Sequence, residues 1–334
     1  MKKIKLYMLS FLSILILLLA SCGSKNSGSN ESKKTKTISI GYQSGMPVFT
    51  IAKERGSLAK ALAKKGYKVS WHYFDSTTDM INSAGNTNGV DFGGGGSTAF
   101  VFGQASDKSI VKVAAQTSAG RGSAIIVRKN SGINSVKDLK GKKVAVTKGA
   151  VQQYELVEAL KNAGLSYKDI KVEYMAPSDA LAAYKKGGQF DALIIWDPLL
   201  AQAQKSVSTK VIAYRGTIFG KNADRKSVAY YFASTNFLKH NKAAVKLIIS
   251  EIRKSAEWYK NNPKAAAKLL AKAYNTNFNY VYTAAKRSGS NKIIPVNKDL
   301  LSDLQAQADV FYNLKLVPKK INVYDSKYYW NYTK

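Results

Sequence analysis

Thiols and imidazoles are nearly missing from this 334-residue chain: Cys22 is its one cysteine, and His72 and His240 are its two histidines. With no cysteine after residue 22, no intrachain disulfide can form. A chain of this composition is held by core burial alone, which its length allows. The histidines sit on different segments and read as surface or half-buried packing. The chain therefore lacks a clustered set of transition-metal ligands, and a Ser–His or Cys–His nucleophile lacks its base. No G-x-S-x-G, P-loop or dinucleotide fingerprint occurs. No cofactor and no metal are expected. Acid is scarce too: 21 Asp and Glu stand against 52 Lys and Arg, a formal charge of +31. Such a charge often signals nucleic acid. Here the lysines are scattered, without a dense basic block or a reading motif. They fit a surface adapted to an anionic envelope, and no nucleic-acid partner is expected.

What is present starts with Lys2, Lys3 and Lys5, followed by an apolar run from Leu6 to Ala20. Charge, a short apolar stretch and small residues make a secretory signal peptide over 1–21. The run of about 15 residues is short for a membrane span, which needs about 20. Leu19-Ala20-Ser21-Cys22 resembles the lipobox of bacterial lipoproteins. That resemblance implies a diacylglyceryl group on the Cys22 thiol and cleavage that makes Cys22 the N-terminus. Without the leader, 313 residues and a charge near +28 remain. Residues 22–36 carry no large apolar side chain and read as a flexible tether spanning roughly 20 Å.

Order begins at Thr37. Thr37–Tyr42 alternates like a strand, a helix follows from about Thr50 to Lys65, and Val69–Phe74 is a second strand. Asp79–Asn86 suits a short helix, Val90–Gly93 a buried strand ending in glycines, Ser97–Ala105 a helix and Val111–Ala115 a strand. This alternation predicts an α/β domain with a largely parallel sheet. Ser123–Arg128 is a strand of a different setting, after which a second unit of about 100 residues repeats the alternation as far as Val211–Tyr214. Val228–Ser234 is again a strand, and only helices follow; they pack most simply on the first unit. Two lobes result, 37–123 with 230–334 and 124–229, joined by two hinge crossings near 122–129 and 226–234. Such hinges permit closure around a ligand.

Two glycine-rich strand-to-helix junctions stand out: Gly93-Gly94-Gly95-Gly96-Ser97-Thr98 in one lobe and Lys148-Gly149-Ala150 in the other. Each offers free N–H groups and the positive end of a helix dipole. Ser97 or Thr98 can cap a helix and donate a hydroxyl bond. Gln43 and Ser44 follow the first strand, at the end where open α/β sheets place ligands. Arg121 lies at the inferred hinge, either pairing with an anion or facing solvent. In Trp196-Asp197-Pro198, Trp196 can form an apolar wall while Asp197 caps the next helix.

Taken together, these segments resemble the substrate-binding proteins of ABC importers in the aliphatic sulfonate, taurine and nitrate group. The resemblance runs from about Ile38 to Val323. It is carried by Ile40-Gly41-Tyr42-Gln43, Asp91-Phe92-Gly93, Val136–Ala145, Ala163–Ile170, Phe190–Pro198, Tyr230–Ser234 and Val317–Ile321. It implies a type II periplasmic-binding fold and capture of a small solute for a permease. On this sequence its ligand residues fall on Gln43, Gly96 to Thr98, Gly149, Ala150, Val151 and Trp196. Two departures matter. The sulfonate proteins often carry Thr-Gly-Asp-Thr-Pro-Pro where this chain has Gly94 to Phe100, and serines where it has Ala150 and Val151. Fewer hydroxyls weaken the sulfonate assignment specifically, whereas loss of a carboxylate still suits an anion; Phe100 and Val151 suggest a larger or more apolar ligand.

The expected protein is thus a non-enzymatic, membrane-anchored extracytoplasmic receptor for a small organic anion. Its partners are an ABC permease and its ATPase. A thiamine-type pyrimidine, nitrate or another small solute is the alternative ligand. An envelope-polymer binder is the alternative outside transport.

Overall fold

The computed structural model describes residues 36–117, 121–223, 228–289 and 291–333. The leader, Cys22 and the tether as far as residue 35 lie outside them. Two sheets organise the described chain. Sheet A has the order β11–β4–β10–β3–β1–β2, from β1 (Lys36–Tyr42), β2 (Tyr67–Tyr73), β3 (Phe92–Gly96), β4 (Ile110–Gln116), β10 (Ala229–Ser234) and β11 (Ile293–Ile294). Sheet B has the order β7–β6–β8–β5–β9, from β5 (Ser123–Arg128), β6 (Lys143–Val146), β7 (Lys171–Tyr174), β8 (Ala192–Trp196) and β9 (Thr209–Tyr214).

Neither sheet is wholly parallel. In each, one strand arrives from the other lobe and runs against its neighbours: β5 against β8 and β9, and β10 against β3 and β4. The registers explain the direction. Ser123 pairs with Trp196 and Ala229 with Gly96, so each incoming strand enters at the C-terminal end of its neighbour and runs away from it. The crossings themselves lie between β4 and β5 and before β10, so 123–128 and 229–234 belong to the sheets rather than to the hinge.

Helices cover both sheets. Sheet A carries α1 (Pro47–Glu54), α2 (Ser57–Ala63), α3 (Thr77–Ser83) and α4 (Ser97–Ala105). Gly56, at φ +68°, separates α1 from α2 where the apolar pattern reads as one helix. Sheet B carries α5 (Val151–Asn162), α6 (Pro177–Lys186), α7 (Leu199–Ser206) and α8 (Arg215–Phe219). The C-terminal part supplies α9 (Thr235–His240), α10 (Lys242–Asn261), α11 (Pro263–Ala273), α12 (Phe278–Arg287) and α13 (Lys298–Asn313). Here α10 packs on α1 and α2, and α13 on α4, while α12 reaches α7 of the other lobe. Proline at the first helical position starts α1, α6 and α11, where its missing N–H costs nothing.

The core of sheet A is aromatic. Phe49 of α1 meets Phe92 of β3 and Tyr231 of β10 edge to face, at 6.0 and 5.3 Å between ring centres. All three are fully buried, and truncating such a ring costs about 3–5 kcal/mol. The glycine run of β3 belongs to this packing. A Cβ on Gly93 would lie 2.5 Å from Met80 Sδ, one on Gly94 2.9 Å from Tyr231 Cδ1, and one on Gly95 1.9 Å from Thr77 Oγ1. The segment read from the sequence as a ligand-approach turn is therefore mostly a strand stripped of side chains so that its neighbours can close on it.

Candidate functional site

The C-terminal ends of β1, β3 and β8 point to one place between the sheets. A cavity of about 150 Å³ opens there. One side is formed by Gln43, Ser44, Thr77, Thr78 and Gly96 of the sheet-A lobe, and the other by Ala150, Val151, Gln152 and Trp196 of the sheet-B lobe. Gln116, Gly122 and Ala229, next to the crossings, complete its floor, and Tyr259, Leu270, Tyr274 and Val281 from α10 to α12 make an apolar wall.

The two lobes meet beside this cavity through glycine. A Cβ on Gly45 would stand 2.6 Å from Trp196 Nε1, one on Gly96 3.1 Å from Val151 Cβ, and one on Gly149 2.7 Å from Thr78 Oγ1. In each case the opposing atom belongs to the other lobe. Polar contacts accompany the seam: Thr78 Oγ1 donates to the Lys148 carbonyl at 3.4 Å, and Ser178 Oγ lies 2.7 and 2.8 Å from the two Asp75 carboxylate oxygens.

Two arginines line the cavity, and each is engaged by a carboxylate. Arg215 Nε donates to Oε1 of the fully buried Glu155 at 2.6 Å, and Ser123 Oγ donates to Glu155 Oε2 at 2.5 Å. Arg287 of α12 crosses to the other lobe, donating to Asp197 Oδ1 at 3.4 Å and to Gln204 Oε1 at 2.8 Å. Asp197 Oδ1 also accepts the Ala201 N–H at 3.0 Å, the cap foreseen for it. Asp197 Oδ2 is buried without a partner among the described residues. Burial outweighs the nearby Arg287 charge and pushes the Asp197 carboxyl up to about 6. Burial likewise raises the Tyr259 phenol to about 12, and pushes up that of Tyr274, so both hydroxyls stay neutral.

The two helix starts differ. At α5 the Ala150 N–H donates to the Thr147 carbonyl and the Gln153 N–H to the Ala150 carbonyl. The N–H groups of Val151 and Gln152 lie in the first turn and have no acceptor within the helix. Both residues line the cavity. At α4 the Ser97 N–H donates to the Val228 carbonyl, and both hydroxyls turn away: Ser97 Oγ and Thr98 Oγ1 donate to Gln307 Oε1 of α13 at 2.9 and 3.1 Å.

Of the residues singled out from the sequence, Gln43, Ser44, Gly96, Ala150, Val151 and Trp196 come together at the cavity. Gln43 spends its amide nitrogen on its own lobe, at 2.8 Å from Thr77 Oγ1 and 3.0 Å from the Gly94 carbonyl. Ser97 and Thr98 are buried behind the cavity wall. Lys148 is exposed, with its ammonium 5.8 Å from the Tyr174 ring centre. Gly149 uses its N–H on Gln153 Oε1 at 2.8 Å. Arg121 is exposed and does not line the cavity, although its neighbour Gly122 does. The histidines are elsewhere: His72 Nε2 lies 2.9 Å from Ser70 Oγ, and His240 Nδ1 3.0 Å from the Asn236 carbonyl.

Sequence reasoning missed Thr77, Arg215, Tyr259, Tyr274, Arg287 and Asn291. Arg215 and Arg287 carry no local signal, because nothing in a lone arginine on an amphipathic helix tells which carboxylate it will meet. Thr77 has one: Ser76 is a helix cap, accepting the Asp79 N–H at 3.2 Å, and a capped start after a strand faces the ligand end of a sheet.

Comparison with known proteins agrees with this geometry. A sequence profile described as NMT1/THI5 like matches residues 64–266. A protein of Escherichia coli strain K12 named for binding aliphatic sulfonates is 30% identical over 288 residues, covering 86% of this chain and 87% of its own length. One of Bacillus subtilis strain 168 with the same name is 30% identical over 311 residues, covering 93% and 91%. The crystal structure of the periplasmic aliphatic sulphonate binding protein SsuA from Escherichia coli superposes with a TM-score of 0.77 at 29% identity, over 89% of this chain and 92% of that one. With two lobes and a cavity at the strand ends of both sheets, the chain belongs to the NMT1/THI5-like family and has the two-lobed fold of the sulphonate-binding protein on which it superposes.

Proposed function

We propose that this chain is the extracytoplasmic solute-binding protein of an ABC importer, that it takes a small aliphatic sulfonate between its lobes, and that it delivers it to the permease. The observation that carries the reading is that Val151 and Gln152, first-turn residues of α5 whose N–H groups have no acceptor within the helix, line a cavity walled on another side by Leu270 and Val281. A sulfonate keeps its charge at every physiological pH and accepts several hydrogen bonds. Neutral donors at a helix N-terminus suit it. The cavity arginines already face carboxylates, so the helix end and the neutral donors hold the anion while the aliphatic part lies on the apolar wall. A volume of about 150 Å³ is that of a site that holds one benzene molecule, so a short-chain sulfonate is the fitting size. Ligand closes the lobes only as far as it binds the closed form better than the open one.

The leader and the lipobox-like Leu19-Ala20-Ser21-Cys22 support a location on the outer face of the membrane, held by a diacylglyceryl group on Cys22 and the tether. The mass of the N-terminal peptide checks this. Calorimetry against ethanesulfonate, longer alkanesulfonates, taurine, nitrate and a hydroxymethylpyrimidine checks the ligand. Heat with short alkanesulfonates is expected. Silence with every sulfonate, with no rise in melting temperature, removes the sulfonate reading.

A further inference from the structure

The end of sheet A remote from the cavity is where lysine collects. β1 begins there at Lys36, paired with Tyr67 at the start of β2. Tyr67 Oη donates to Asn241 Oδ1 at 3.1 Å, which brings the α9–α10 junction to the same end. Lys36, Lys64, Lys65, Lys68, Lys239 and Lys242 are all exposed on these segments. From Arg55 to Phe74 and from Thr235 to Ser250 the chain has no Asp or Glu. On neighbouring connections, Asp91 accepts the Ser39 N–H through Oδ2, and Asp107 is paired with Lys319. Scattered along the sequence, these lysines become one face only when β1, β2 and the α9–α10 junction are assembled.

We infer that this face docks on anionic lipid headgroups. The inference rests on the anchoring reading above. The described residues begin at Lys36, about 14 residues after Cys22, which on the tether reading of that segment is a span of roughly 20 Å. An anchored molecule therefore holds this end, rather than any other, near the bilayer at high effective concentration. Each lysine brought to an anionic surface strengthens adsorption roughly fivefold, within the screening length of the medium. Gln43, at the other end of β1, is roughly 20 Å away at the usual rise per residue. The docked protein thus keeps its cavity off the headgroups.

The test uses the full chain as a bacterial host exports it, mixed with vesicles of phosphatidylcholine alone or of phosphatidylcholine and phosphatidylglycerol in equal parts. Flotation reads association, and acetylation of each lysine by a water-soluble ester is read by mass spectrometry. On the mixed vesicles at low salt, Lys64, Lys65, Lys68 and Lys242 should react several-fold more slowly than on phosphatidylcholine, while Lys137 and Lys168 of the sheet-B lobe are unchanged. Added salt should restore the rates. The triple substitution Lys64→Glu, Lys65→Glu and Lys68→Glu should abolish the difference without changing the melting temperature. Equal labelling on the two vesicles overturns the inference. So does protection that appears only with a soluble poly(glycerol phosphate), which would assign the face to a wall polymer. The N-terminal mass separates the two readings: an unlipidated chain that still floats with the mixed vesicles and shows the footprint keeps the docking and loses the anchor. An unlipidated chain that does not float loses both.

Discussion

At the start of α5 three consecutive residues, Ala150, Val151 and Gln152, reach the cavity; at the start of α4 only Gly96 does. The two junctions look equivalent in the sequence, each a strand, glycines and a helix. If anything α4 looks the better anion site, because it has Ser97 and Thr98. In the structure those hydroxyls serve Gln307 and bind α13 to the lobe, and the glycines before them serve the aromatic packing of Tyr231 and Phe232. Hydroxyls next to glycines are therefore weak evidence for a ligand when a later helix can claim them. First-turn residues that line the cavity are the stronger sign, and α5 has them although Ala150 and Val151 offer no hydroxyl.

The largest expected effect tests this contrast directly. Val151→Asp puts a carboxylate at the first position of α5, where the helix dipole favours it, yet beside the bound anion. Sulfonate affinity should fall at least a hundredfold, as like charges at contact cost about 3–4 kcal/mol near a protein surface. Calorimetry and circular dichroism together check that binding goes while helix content stays.

Next comes Asp197, a carboxyl lining the cavity whose titration burial displaces upward. The folded Asp197 carboxyl sits at about 6, above its ordinary 3.8. The folded protein thus takes up this proton before the unfolded chain does. This group's contribution to stability is full below its ordinary 3.8 and is lost as pH rises through about 6. Asp197→Asn removes that dependence. The difference in unfolding free energy between wild type and variant should change by on the order of 2 kcal/mol from pH 4 to pH 8, with the variant gaining relative stability at the upper end. A parallel pair of denaturation series measures it; a flat difference would mean the carboxyl titrates normally.

Gly96→Ala tests the seam that joins the junctions. The new methyl meets Val151 Cβ at 3.1 Å from across the cavity. Overpacking costs about 1–3 kcal/mol, and here it falls on closure rather than on either lobe. Affinity should drop roughly tenfold with the melting temperature of the unliganded protein unchanged. Loss of stability without loss of affinity would show that the contact belongs to the fold alone. The smallest effect is the control at α4. Ser97→Ala removes a buried hydrogen bond worth about 1 kcal/mol of stability, and binding should stay within about twofold by calorimetry.

Much of the fold was legible. Ser97–Ala105 and Ser123–Arg128 are as read: the glycine run ends at Ser97, although no side chain caps that helix, and Ile125, Ile126 and Val127 form the centre of the strand. Local pattern failed where distant chain decides. Gly56 splits a helix that periodicity runs together. Both sheets are largely parallel, as read; the reversed strands β5 and β10 were not foreseen, because their direction is set by where each crossing enters. In the site, Gln43, Val151 and Trp196 were readable as residues after strands or at helix starts. The apolar wall was not, since Leu270 and Val281 are ordinary core positions of amphipathic helices until α12 reaches the other lobe.

A crystal structure of the protein with ethanesulfonate tests the central claim most directly. The sulfonate oxygens should lie within hydrogen-bonding distance of the Val151 and Gln152 N–H groups, about 3 Å, with the carbon chain toward Leu270 and Val281. A sulfonate held by the Ser97 and Thr98 hydroxyls, or bound outside the cavity between the sheets, would contradict it.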